Sequence, residues 1–220
     1  MFDPPLTDAD VRVLGSLIEK EITTPDNYPL SLHGLAAACN QTSNRQPVVS
    51  LEEDAILAAI TRLRRSSLVR AIQPADSRVM KYQHLAADAM SLDRGELALM
   101  CVLMLRGPQT VGELRSRTER LARFESLAAV EQTLEALAAR TPAPFVSRLP
   151  RQPGQKDIRY AQILSGPPTA EAPGAVPSSN NAHRPSDRER VDALEARTAT
   201  LETEIAELRR QLADFRSQFE

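Results

Sequence analysis

The stretch "LDRGELALMCVLML", residues 92–105, decides the fold, because "LTDADVRVLGSLIE", residues 6–19, has the same opening. In each, an apolar residue (Leu92, Leu6) precedes a capping oxygen (Asp93, Thr7), and an acid follows three places on (Glu96, Asp10). The cap oxygen accepts from an orphan N–H of the first turn, and the acid accepts from the N–H of the cap residue. The leading leucine can staple onto the next helical position, Leu97 or Val11. All three matched pairs are separated by 86 places. Behind each cap runs one apolar stripe, Val11, Leu14, Ile18 and Leu97, Met100, Met104, the spacing of a helix that buries one face.

Outward from these helices the repetition continues. A short helix is predicted from Ser31 to Ala38 and from Thr110 to Arg117, the second with Thr110 and Glu113 as a capping box. A third helix carries Ile56, Ile60, Leu63 in one copy and Val130, Leu134, Leu137 in the other, separated by 74 places. Each third helix runs into a β-rich stretch, a Pro-containing turn and a second β-rich stretch: "LVRAI–QPADSR–VMKYQHL" and "FVSRL–PRQPGQK–DIRYAQI". Three helices and a hairpin, twice, is the winged-helix plan. The fold class expected is therefore mainly α with small β-hairpins (α+β). Its parts are two tandem winged-helix domains, 1–90 and 91–164, a Pro/Ala/Ser-rich flexible linker, 165–186, and a C-terminal coiled-coil helix, 187–220. The linker has no apolar period with which to offset its ordering entropy.

The tail is read from its heptads. Val191, Leu194, Thr198, Leu201, Ile205, Leu208, Leu212, Phe215 and Phe219 alternate steps of three and four, which places them at a and d. With Val191 at a, a parallel pair sets Arg190 against Glu195, Arg197 against Glu202 and Glu204 against Arg209 across the seam. Such pairs choose orientation more than they stabilise. The dimerisation residues expected are Val191, Leu194, Leu201, Ile205, Leu208, Leu212 and Phe215, giving a parallel dimer of the chain with itself. The other arrangement is a helix folded back on its own domain.

Charge narrows the partners. The chain carries 27 Lys/Arg against 29 Asp/Glu, net −2, so no global basic field marks a polyanion binder. Residues 1–90 hold 9 cations and 11 acids; residues 91–164 hold 11 and 8. The third helix of the first half opens "SLEEDAILAAITRLRR", residues 50–65. Ser50 is expected as its N-cap with Glu53 completing the box, and the acids Glu52, Glu53 and Asp54 complement the helix dipole. Three successive acids sweep most of an arc and would repel phosphate, so this helix is not expected to enter a major groove. Cations stand elsewhere. Arg45 precedes the helix, and Arg62, Arg64 and Arg65 crowd its end. The second hairpin carries Arg148, Arg151, Lys156 and Arg159, with Arg115, Arg117, Arg120 and Arg123 around and after the second short helix. The candidate nucleic-acid contacts are Arg45, Arg62, Arg65, Arg148, Arg151, Lys156 and Arg159. A basic wing can lie along phosphates or reach a minor groove.

At this point "EKEITTPDNYPLSLHGLAAACNQTSNRQPV", "LRGPQTVGELRSRT" and "RLPRQPGQKDIRY" resemble the bacterial YceH family. The resemblance covers about residues 5–165 and implies a tandem pair of winged-helix domains. His33 stands where that family usually has Asn and Gln46 where it has an acid; neither bears on the fold. The family brings no established ligand, substrate or catalytic residue.

Two function classes follow. One is a dimeric DNA-binding protein, regulatory in kind, that uses the basic wing of domain 2. The other is a protein–protein interaction scaffold with no nucleic-acid contact, which the acids of the first third helix suit better. Catalysis finds little support. His33, His84 and His183 are scattered, no HExxH, GxSxG or Gly-rich phosphate loop occurs, and no metal, cofactor or small-molecule ligand is expected. Cys39 and Cys101 read as small buried hydrophobes of a reducing compartment. The acidic start "MFDPPLTDAD" has no signal-like apolar region, and "LALMCVLML" is about half a membrane span. A cytoplasmic protein without membrane contact is expected. Tyr28, in the long loop "TTPDNYPLS", is expected to pack that loop on the first domain.

Overall fold

The computed structural model describes residue 2 and residues 4–74, 78–151 and 157–166, all within one unit, Met1–Gly174. The linker beyond Gly166 and every coiled-coil position, Val191 to Phe219, lie outside the described residues.

The first half runs α1 (Asp8–Thr23), β1 (Leu30–Ser31), α2 (Leu32–Cys39), α3 (Glu53–Arg65), β2 (Val69–Ile72), β3 (Lys81–His84). After a single turn, α4 (Ala86–Ala89), the second half follows as α5 (Arg94–Arg106), β4 (Gln109–Thr110), α6 (Val111–Thr118), α7 (Leu127–Ala138), β5 (Val146–Arg148), β6 (Arg159–Gln162). This is a mixed α+β structure of helices and two small sheets. The sheets are antiparallel and share one strand order, β1-β3-β2 and β4-β6-β5. The sequence announced a hairpin in each half. The structure adds a third strand of only two residues, formed just before the second helix, which pairs Leu30 with Tyr82 and Gln109 with Tyr160.

The capping boxes form as the local pattern dictates. Thr7 with Asp10, Asp93 with Glu96 and Thr110 with Glu113 each exchange both hydrogen bonds. Ser50 does not cap. It is exposed, and α3 begins at Glu53 with Glu52 as its N-cap and no capping side chain. The cause is Asn40. Its amide accepts from the Leu51 N–H at 2.8 Å and donates to the Leu51 carbonyl at 2.9 Å, so the chain is clamped at Leu51 and the helix starts after it.

One apolar core joins the halves. Its centre is the packing of α1 on α5, whose ten-residue buried run, Glu96 to Leu105, explains the long apolar stretch. Gly15 and Cys101 occupy equivalent positions in the repeat and meet at this contact; the Cys101 thiol lies 3.5 Å from the Gly15 carbonyl oxygen. A Cβ at Gly15 would stand 3.1 Å from Leu105 Cδ2 and from Met104 Cβ, so glycine permits the close approach. Both cysteines are free and buried, and burial pushes each thiol's pKa up.

Candidate nucleic-acid interface

Of the seven arginines and lysines singled out from sequence, the structure places three inside its own framework. Arg45 is buried. Its guanidinium forks onto Glu19 at 2.6 and 3.1 Å and donates to the Ala38 carbonyl at 2.8 Å. It pins the turn between α2 and α3 to α1, and the neighbouring Gln46 N–H carries that turn to the Leu105 carbonyl of α5 at 2.9 Å. Arg12 is also buried and donates to the carbonyls of Cys39 and Pro47. Burial and the nearby Arg45 charge lower its pKa.

Arg62 and Arg159 serve the capping boxes. Arg62 holds Asp10, the acid of the α1 box, at 3.0 Å, and Arg159 holds Glu113, the acid of the α6 box, at 3.0 Å. Arg140, beyond α7, does the same for Glu96 of the α5 box, at 3.0 Å. Each box acid therefore binds a backbone N–H on its own helix and an arginine from a distant element. These arginines are structural braces. Sequence showed the acids but not which cation each one meets.

Of the remaining four candidates, the three within the described residues face solvent. Arg148 ends β5, which runs from buried Val146 outward, and Arg151 follows it on the exposed start of the turn. Lys156 lies outside the described residues. In the first half, Arg65 is exposed with Arg64 in the last turn of α3.

Three further cations belong with the second half. Arg115, Arg120 and Arg123 are all exposed. Arg115 donates to the Glu125 carbonyl at 3.4 Å, which lays its guanidinium over the residue preceding Ser126, the N-cap of α7. Arg94 donates to the Leu121 carbonyl at 3.3 Å and helps hold the same turn. The α7 first turn, Leu127, Ala128 and Ala129, is uncharged, and the helix contains no Lys or Arg. Leu127 is 50% exposed, and Gln132 is exposed one turn further. Cations thus stand at the entrance to α7 and on the strand that follows it, around a first turn without acids, although exposed Glu125 directly precedes the N-cap. Such a start offers orphan N–H groups and a positive dipole end.

The histidines do not come together among the described residues. His33 is exposed on α2 and His84 ends β3, where it is buried; His183 lies outside the described residues. His84 Nε2 meets Glu21 Oε2 at 2.7 Å and its Nδ1 accepts from the Ala86 N–H at 3.2 Å. The Tyr28 hydroxyl accepts from the His84 N–H at 2.7 Å, so the long loop does pack on the first half, and burial raises the tyrosine's pKa. Among the described residues no group of three or more His, Cys, Asp or Glu is placed to hold a metal ion, and no helix is long and apolar enough to cross a membrane.

The chain matches, over residues 6–155, the family described as "Protein of unknown function, DUF480". It is 50% identical over 218 residues to a UPF0502 protein of Geobacter sulfurreducens, covering 98% of each chain. A UPF0502 protein of Geotalea daltonii is 49% identical over 220 residues, with 100% of both chains covered. One of Opitutus terrae is 52% identical over 163 residues, 74% of this chain and 71% of the relative.

Proposed function

We propose, for a chain that belongs to the DUF480 family of proteins of unknown function, that it is a non-enzymatic tandem winged-helix protein whose second domain binds DNA. The repeated α-β-α-α-β-β order and the matched sheets support the winged-helix reading, in agreement with the resemblance to the YceH family. The observation that carries the DNA reading is the placement of exposed Arg115, Arg120 and Arg123 before α7 and of Arg148 and Arg151 after it, about a helical first turn without acids. Phosphates would be held by these arginines, and the start of α7 with Gln132 would approach the bases, where the exposed Glu131 and Glu135 beside it could accept only from a base amino group. Arg45, Arg62 and Arg159 take no part, because each is engaged within the fold. The coiled-coil tail would pair two chains and set two such domains on one duplex.

The test is a fluorescence-anisotropy titration of labelled genomic duplexes with the full chain across a salt series. The expected result is binding that weakens with salt, with the log–log slope reduced by about 0.9 for each phosphate contact removed in R115Q, R120Q, R148Q and R151Q. Absence of binding to any duplex at low salt would overturn the reading.

The second reading, a protein scaffold, is favoured by α3. Its exposed acids Glu52, Glu53 and Asp54 adjoin exposed Leu57, and Val48 is 55% exposed in the preceding loop. A stoichiometric protein partner in the absence of nucleic acid would support it.

A further inference from the structure

The geometry points to a small-anion site where the ends of α5 and α6 meet the α2–α3 turn: Arg106 and Arg117, with Asn44, bind the phosphoryl group of a small phosphorylated molecule. Arg106 is the last residue of α5. It is half-buried, and its guanidinium donates to the side-chain oxygen of Asn44 in the turn before α3. That turn is fixed against α5 by the Gln46 N–H, which donates to the Leu105 carbonyl at 2.9 Å. Arg117, also half-buried, stands in the last turn of α6. Two residues turn a helix by about 200°, so Arg117 lies on the side of α6 away from Arg115 and the entrance to α7. The site is therefore distinct from the DNA surface proposed above, and both halves of the repeat contribute to it.

Charge at this junction does not balance. Lys20 and Arg45 share Glu19, at 3.8 and 2.6 Å. Arg117 and Arg159 share Glu113, at 3.5 and 3.0 Å, and Glu113 also accepts from the Thr110 N–H at 2.9 Å. Both acids are thus already engaged, and Arg106 has no carboxylate at ion-pair distance among the described residues. Burial, and next the Arg117 charge, lower its pKa, with Glu19 and Glu113 pulling the other way. A charge taken from water costs free energy unless a partner compensates it. Arg120 and Arg123, by contrast, are exposed and keep their hydration. The first half has no such imbalance, because Lys20, 86 places before Arg106, has Glu19 beside it. An oxyanion reaching both Arg106 and Arg117 would supply the missing negative charge. Planar guanidiniums present the paired N–H donors that phosphate oxygens accept, and the Asn44 amide supplies a further N–H.

The experiment is a calorimetric titration of inorganic pyrophosphate into the full chain, in chloride buffer at low salt. No nucleic acid is present, so the outcome does not depend on the DNA reading. The expected result is saturable binding at one site per chain, weakened about tenfold in R106Q and in R117Q, as loss of a charge-assisted hydrogen bond predicts. N44D sets a carboxylate against Arg106, at a backbone φ of 59° that Asp adopts as Asn does. It should abolish pyrophosphate binding while raising the thermal midpoint of the ligand-free chain, which separates loss of the site from loss of the fold. Absence of binding to the wild-type chain, by calorimetry and by thermal shift, overturns the inference, as does an N44D chain that binds as the wild type does. So does a duplex titration in which R106Q and R117Q each reduce the log–log salt slope by about 0.9 while pyrophosphate does not bind, because the arginines would then hold the nucleic-acid backbone.

Discussion

Set side by side, the two halves share a backbone plan and differ in what their third helices show to solvent. The α3 helix opens on Glu52, Glu53 and Asp54 and closes on Arg64 and Arg65; α7 opens on Leu127, Ala128 and Ala129 and has no cation at all. The inner faces match residue for residue: Ile56, Ile60 and Leu63 against Val130, Leu134 and Leu137, all buried. Burial fixes the inside of a repeated module, because close packing tolerates little change. The outside is left to diverge.

The difference extends to how each half is held together, and the largest expected effect lies there. The first half pins its α2–α3 turn with the buried Arg45–Glu19 pair, whereas Leu105 stands at the α5 position equivalent to Glu19 and is buried apolar. R45M leaves the Glu19 carboxylate with only Lys20, 3.8 Å away, and is expected to cost about 3 kcal/mol of unfolding free energy in urea titrations. A loss under 1 kcal/mol would show that the two halves are not braced differently.

Next in size are the caps. D93A removes the oxygen that accepts from the Glu96 N–H at 2.8 Å and is expected to destabilise by about 0.5–2 kcal/mol. S50A, at a position that looks equally cap-like in sequence, is expected to leave the thermal midpoint unchanged. Equal losses for the two would return the cap of α3 to Ser50.

The smallest effect is a pH dependence confined to the first half. His84 has its counterpart in Gln162, the residue paired with Val146 as His84 is with Val69. Burial lowers the His84 pKa, against the opposing pull of Glu21 from α1 and Asp88 from α4. The Ala86 N–H occupies Nδ1, so the neutral ring carries its proton on Nε2, toward Glu21. The unfolded chain therefore binds this proton more readily than the folded one. The contribution is complete above the ordinary histidine value of about 6.5 and declines as pH falls below it. H84Q should flatten that segment of a stability-versus-pH curve; an unchanged slope would place the titration elsewhere.

What was legible in the sequence were features carried by near neighbours. The three capping boxes, the apolar stripes and the hairpins depend on residues a few places apart, and all are present. The third strand was not legible, since two residues such as Leu30–Ser31 are too short for any alternation to register. Ser50 misled because the clamp that displaces its cap comes from Asn40, eleven places away. The arginines show the same division. Arg62 and Arg159 look in sequence like Arg148 and Arg151, and only the fold shows that the first two meet Asp10 and Glu113 while the others point outward. Arg115, Arg120 and Arg123 registered only as net charge until the turn before α7 set them beside its entrance.

The central claim is that the two third helices have parted company, one toward nucleic acid and one away from it. Photo-cross-linking of the full chain to a bound duplex, mapped by peptide mass spectrometry, tests this most directly. The account predicts links within residues 115–132 and 148–151 and none within 50–65; links concentrated on α3 with α7 unmarked would contradict it.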